Sequence, residues 1–109
     1  MSTSVVYDRW GNKIYITAER WDHILHRHEE LSGLFDELLN TLQFGRRRQE
    51  VLDPNRYRYY HPCRLLPLEF NHIVVAVVFR YQESQNGILQ PNNFVTSAWG
   101  VDTYSHPEI

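Results

Sequence analysis

Cysteine is almost missing from this chain. Cys63 stands alone among 109 residues, which excludes an internal disulfide and any zinc site built on cysteines. Lysine is as scarce: Lys13 is the single one beside ten arginines. The cationic chemistry is therefore that of guanidinium, which suits bidentate phosphate contacts and also plain surface pairing. A net charge of −2 gives no global argument for nucleic acid. Long apolar runs are lacking too. The N-terminal MSTSVVYDRW has no extended apolar stretch, and no segment approaches membrane-spanning length. A soluble cytoplasmic protein that does not enter a membrane is expected. Internal repeats and low-complexity tracts are also absent.

What is present is a folding composition. Hydrophobic residues make up 42% and aromatics 14%, enough for a modest core in one domain over residues 1–109. The charge is unevenly spread. Thr17 to Gln43 holds six acids and two arginines, a local −4, whereas Phe44 to Arg64 holds six arginines against Glu50 and Asp53, a local +4. Such a chain folds with an acidic region and a basic one.

Two strands, Val5–Asp8 and Lys13–Ile16, flank RWGN, a hairpin turn with Gly-Asn at its tip. Thr17 reads as the N-cap of a helix that runs to about Glu30, with Glu19 in its first turn. Ser32 reads as the cap of a second helix. Its residues Leu34, Phe35, Leu38, Leu39 and Leu42 keep helical spacing, and it ends before Gly45. RRRQEVLD is expected as a strand closing at the turn DPN, and RYRYYHPC as the next strand. HIVVAVVFRY, apolar on both faces, is expected at the centre of a sheet. QESQNGILQPNN reads as a loop, FVTSAWG as the last strand and DTYSHPEI as irregular. Short connections favour antiparallel pairing. The expected fold is α+β: an antiparallel meander sheet of about four to six strands with two helices packed on one face.

The segment TAERWDHILHRHEE concentrates three histidines and two arginines on one amphipathic helix. On a helical wheel Trp21, Ile24, Leu25 and Leu31 share a face, with His28 in its middle. Arg20, His23 and Arg27 form a neighbouring stripe. His28 reads as a core histidine bonded to a carbonyl or tyrosine, or as one at the helix–sheet margin facing a cleft. The stripe reads as a solvated cationic face, or as the lining of a groove that takes phosphate, with an imidazole able to exchange a proton near neutrality. The spacings His23/His26 and His26/Glu30 can also converge on a metal ion, but no HExxH and no distant ligand set accompany them. No metal and no cofactor is expected.

In RYRYYHP, Arg56, Arg58 and Tyr60 alternate with Tyr57, Tyr59 and His61, so one parity faces the helices and the other the free side of the sheet. Cross-strand charge pairing on an exposed face explains this pattern. So does a platform where arginines take phosphates and tyrosines stack bases. The run Arg46-Arg47-Arg48 would extend it. In the last strand Thr96 and Ala98 are expected on one face, and Val95, Ser97 and Trp99 on the other. Thr96 or Ser97 can donate to a phosphate oxygen.

Taken in order, ITAERWDHILHRHEEL, the leucine-rich helix, RYRYY, HIVVAVVF and FVTSAW resemble the small nucleases of the barnase–EndoU–colicin–RelE group, from about Lys13 to Gly100. The likeness is nearest to phage- and toxin-associated members with W-x-H-I-x-x-x-H on a helix and V-T-x-A in the final strand. It implies a RelE-like fold and a metal-independent ribonuclease, a hydrolase often acting as the toxin of a toxin–antitoxin pair. In such enzymes the 2′-hydroxyl of RNA is the nucleophile. By that resemblance His23 and His28 are candidates for acid–base work, and Arg58, with Arg56, stabilises charge. Thr96 holds the phosphate, and Tyr60 stacks or donates a proton, with Arg20 and Arg27 as further substrate contacts. RNA is the expected partner, alongside a cognate antitoxin or a homodimer partner. The acidic first half departs from the strongly basic toxins. A non-catalytic protein-binding module on the same fold is the alternative.

Overall fold

The computed structural model describes residues 2–104, and the end of the expected irregular tail, 105–109, lies outside them. The architecture is α+β, with two α-helices on a mostly antiparallel six-stranded sheet. The chain runs β1 (Thr3–Tyr7), β2 (Lys13–Thr17), α1 (Ala18–Arg27), a 3-10 turn (Glu29–Leu31) and α2 (Phe35–Phe44). Then follow β3 (Arg46–Gln49), β4 (Arg56–Pro62), β5 (His72–Val78), a ribbon of β6 (Tyr81–Glu83) and β7 (Leu89–Pro91), and β8 (Asn93–Val101). No helix among the described residues is long and apolar enough to cross a membrane.

The sheet order is β1-β2-β8-β5-β4-β3. From β3 through β4 and β5 to β8 it is an antiparallel meander, as the short connections require. One junction departs from the antiparallel expectation: β8 returns beside β2 and runs parallel to it. The two strands are far apart in sequence, so no hairpin dictates their sense. They pair only at Ile14/Asn93 and Tyr15/Phe94. Beyond that point no strand among the described residues pairs with β8 on its β2 side.

β5 is central, as its apolar composition implies, and all its residues from Ile73 to Val78 are buried. Its two faces meet different neighbours. Ile73, Val75 and Val77 join Ile14, Ile16, Tyr59, Val95 and Ala98 under Ile24 of α1 and Leu38 and Leu42 of α2. The opposite face carries a smaller cluster of Tyr60, Val74 and Val101, with Trp99 packed on it. No helix among the described residues packs on this second face, which carries Arg56, Arg58 and Tyr60 of β4.

Several local expectations are corrected. Helix α1 begins at Ala18 with Thr17 as its N-cap, as expected, the Thr17 side chain accepting from Arg20 N–H at 3.1 Å. It ends at Arg27 rather than Glu30. His28 leaves the helix at φ −133°, and the tighter turn after it drives Leu31 fully into the core. Ser32 caps nothing. Gly33, at φ +78°, redirects the chain, so that α2 starts only at Phe35. The RRRQEVLD strand stops at Gln49. The expected loop over QESQNGILQPNN contains the exposed ribbon β6–β7, closed by Gly87 at φ +75°. A bulge in β8, opposite the Ala76–Val77 step of β5, sets Ser97 opposite Ala76 and Val95 opposite Val77. Thr96 is the extra residue. Val95 and Ala98 therefore share the helix-covered face, where strict alternation separates them.

Candidate functional site on the open sheet face

The helix-free face is assembled by register. Arg56, Arg58 and Tyr60 of β4 lie opposite Val78, Ala76 and Val74 of β5, while Arg48 and Arg46 of β3 lie opposite Arg58 and Tyr60. On the far side of β5, Val74 faces Trp99. The result is an apolar floor with a guanidinium border.

Arg58 is the best-defined cation there. Its Nε donates to Glu50 Oε1 at 2.9 Å, and its guanidinium lies 5.4 Å from the centre of the Trp99 ring system. The bond to Glu50 raises its already high pKa further, against a partial loss of hydration, so Arg58 stays charged. Arg48 is its direct cross-strand neighbour. Like charges so opposed repel unless an anion comes between them. Glu50 serves Arg58, and no ion pair with Arg48 or Arg46 occurs among the described residues. Arg48, Glu50, Arg58 and Tyr60 line a recess of about 330 Å³, together with the exposed Val51 and Leu52.

The histidines separate. His28 sits at the edge of β8 that no strand covers. Its side chain is 33% exposed, its Nδ1 lies 3.5 Å from Glu30 Oε2, and its ring centre is 6.3 Å from that of Trp99. Glu30 completes the corner by accepting the edge N–H of Gly100 at 3.0 Å. His28 is thus a margin histidine, neither sunk in hydrocarbon nor turned away from the sheet. Imidazole and guanidinium flank one indole: His28 on one side, Arg58 on another. His23 belongs elsewhere. It is exposed, and with Thr17, Glu19 and Arg20 it lines a recess of about 360 Å³ at the start of α1. Arg27 is exposed on the last turn of α1. His26 points its Nδ1 at the Asp22 carbonyl, 2.8 Å away. With Glu30 engaged by Gly100, the His23/His26/Glu30 set does not converge, and no cluster of metal-ligating side chains occurs among the described residues.

The remaining expected residues are placed but engaged. Thr96 Oγ1 donates to the Ala76 carbonyl at 3.3 Å across the bulge, and Arg56 pairs with Asp53 at 3.0 Å. Tyr60 is nearly buried, on the apolar floor. His72 borders the same face. Burial, then the charges of Arg46 and His61, push its pKa down.

A second polar centre forms around Asp8. The Asp8 carboxylate, fully shielded from solvent, accepts from Tyr59 Oη, from the Trp10 and Asn12 N–H groups at 2.9 and 2.8 Å, and from Asn12 Nδ2 at 3.0 Å. Arg47 approaches it at 3.6 Å, and its guanidinium lies 4.3 Å from the Trp10 ring and 4.4 Å from that of Tyr57. Burial alone would raise the pKa of Asp8, but the bonds from Tyr59, Asn12 and Trp10 outweigh it and hold the carboxyl below its ordinary range. Burial and the Asp8 bond push the Tyr59 phenol well above its own. The Asp-x-Trp-Gly-Asn turn could have signalled an Asp bonding N–H groups ahead of it; nothing local signals Tyr59.

No family model matches the chain, and no curated protein or solved structure does.

Proposed function

We propose that the open sheet face binds RNA and cleaves it without a metal, in a RelE-like arrangement and a toxin-like role. The observation that carries the reading is the trio of His28, Trp99 and Arg58, with Arg48 and Arg46 beside it. An indole offers a stacking surface to any base. Guanidinium groups complement the phosphate and its developing charge in the transition state. An imidazole open to solvent can take the 2′-hydroxyl proton or return one to the leaving 5′-oxygen. The roles follow from position. Arg58 and Arg48 hold the phosphate, Arg58 exchanging Glu50 for it. Trp99 stacks the base, and His28 moves the proton with Glu30 orienting its ring. His23, on its own recess, stands apart from these steps.

The test is incubation of the purified chain with total RNA in excess EDTA. Products ending in 2′,3′-cyclic phosphate support the reading. So does resistance of an oligonucleotide with a single 2′-deoxy substitution at the cut. Cleavage abolished by the chelator, or undiminished in His28→Ala, sinks it.

One observation favours a second reading, a non-catalytic protein-binding module. Val51 and Leu52 are 95% and 98% exposed beside the Arg58 recess. An apolar hairpin tip next to a cationic groove suits an acidic, partly apolar protein segment. A chain that never cuts RNA, yet loses a protein partner on Val51→Asp with Leu52→Asp, would establish it.

A further inference from the structure

A separate recess lies away from Trp99, at the end of the sheet where the β1–β2 turn, the link from β5 to β6 and the start of β8 meet. It measures about 510 Å³ and is lined by Asn12, Asn93, Tyr57, Phe79, Arg80 and Tyr81 among others, with no carboxylate. Three features give it chemical character. Tyr57 and Phe79 stand 4.9 Å apart at 55° and offer aromatic walls, and Tyr81 adds a third, largely exposed ring. Two asparagines are fixed in one orientation. Asn93 Nδ2 donates to the Lys13 carbonyl and Asn12 Nδ2 to Asp8 Oδ2, each at 3.0 Å. Their carboxamide oxygens remain as the unused ends. No buried side-chain polar atom among the described residues lacks a partner, so Asn93 Oδ1 is reached by solvent. The third feature is Arg80. It rims the recess, and its guanidinium lies 5.6 Å from the Phe94 ring on the open face.

We propose that this recess holds a nucleobase of the bound strand, at a position separate from the base stacked on Trp99. The inference deepens the reading of the open face as an RNA site and rests on it. Aromatic walls accept the π-face of any base. Two fixed carbonyl acceptors favour a base edge that presents adjoining N–H donors, as guanine does with N1–H and its exocyclic amino group. Uracil, with one N–H, is the poorest match. Arg80 faces the phosphate between recess and open face. Phe94 and Trp99 lie opposite Val78 and Val74, four residues apart on β5, about 13 Å at strand rise, so the bound strand is a short oligonucleotide rather than a single nucleotide.

The probes are guanosine and uridine 5′-monophosphate, titrated into the intact isotope-labelled chain and followed by NMR. The expected result is perturbation of the side-chain amides of Asn12 and Asn93, with guanosine bound several-fold more tightly. Arg80→Glu and Tyr81→Ala, both at exposed positions, weaken it about tenfold, the scale of one stacked base or one charge contact. Perturbations confined to Trp99 and Arg58, equal binding of both nucleotides, or affinity unchanged in both variants would overturn the recess. The outcomes separate from those of the open-face reading. Guanosine bound here by a chain that never cuts RNA leaves the recess standing and removes the nuclease. RNA cut by a chain whose recess binds neither nucleotide removes only the recess.

Discussion

Asp8 and Tyr59 are separated by 51 positions in the chain and joined by a buried hydrogen bond. They come from opposite halves of the sheet, since β1 is one edge and β4 lies next to the other. The sheet curls far enough for the tip of the first hairpin to reach β3 and β4 on the helix-covered side. Arg9 reaches over in the same way, donating to the Phe44 carbonyl at 2.9 Å.

Removing the phenol should therefore loosen the whole curl. Tyr59→Phe leaves a shielded carboxylate one donor short and should cost about 1–3 kcal/mol. Asp8→Ala strands Tyr59 Oη and releases Arg47, and should cost more. Denaturant unfolding of both single variants and the double should show strong coupling. Costs that add independently would mean that the bond contributes little.

The same carboxylate sets a pH dependence. Its folded pKa is depressed, so its contribution is fully present above the unfolded carboxylate value, about 3.9. It is lost as pH falls through the lower folded value. Denaturation midpoints measured between pH 6 and pH 2 should drop in wild type and drop less in Asp8→Asn.

Catalysis should follow His28 and Arg58 and ignore His23. His28→Ala and Arg58→Ala, both at partly exposed positions, should keep the far-UV circular dichroism of the wild type. Each should lose about 10²-fold or more in RNA cleavage with EDTA present. His23→Ala should stay near the wild-type rate. A large loss on His23→Ala with none on His28→Ala would move the chemistry to the start of α1.

Gly45 joins α2 to β3 where the backbones crowd. An added Cβ would run into the Thr41 carbonyl oxygen and come within 2.7 Å of that of Tyr60. Both are main-chain atoms and cannot swing aside. Gly45→Ala should lower stability by about 3 kcal/mol, read as a fall in melting temperature; Gly11→Ala, with open space around its Cβ but φ +82°, isolates pure backbone strain for comparison.

What could be read beforehand was whatever depends on near neighbours in sequence. The Thr17 cap, the central β5 and the two parities of RYRYYHP follow from local spacing. What escaped depends on partners chosen by the whole fold. A wheel puts His28 among apolar residues, and only the break after Arg27 swings it to the β8 edge. Strict alternation misassigns Val95 because a bulge is a two-strand event. The parallel β2–β8 pairing and the Asp8–Tyr59 bond join segments that nothing local connects. Local spacing gives Trp99 a face but no role, for the residues that flank it lie on other elements.

The two borders of the sheet differ in a way that bears on self-association. β3 presents the exposed Arg46 and Arg48 along its rim, and like charges there resist the approach of a second copy. β1, Thr3 to Tyr7, has no charged residue and no proline. Strand addition along β1 therefore meets no charge, whereas along β3 it must overcome like-charge repulsion.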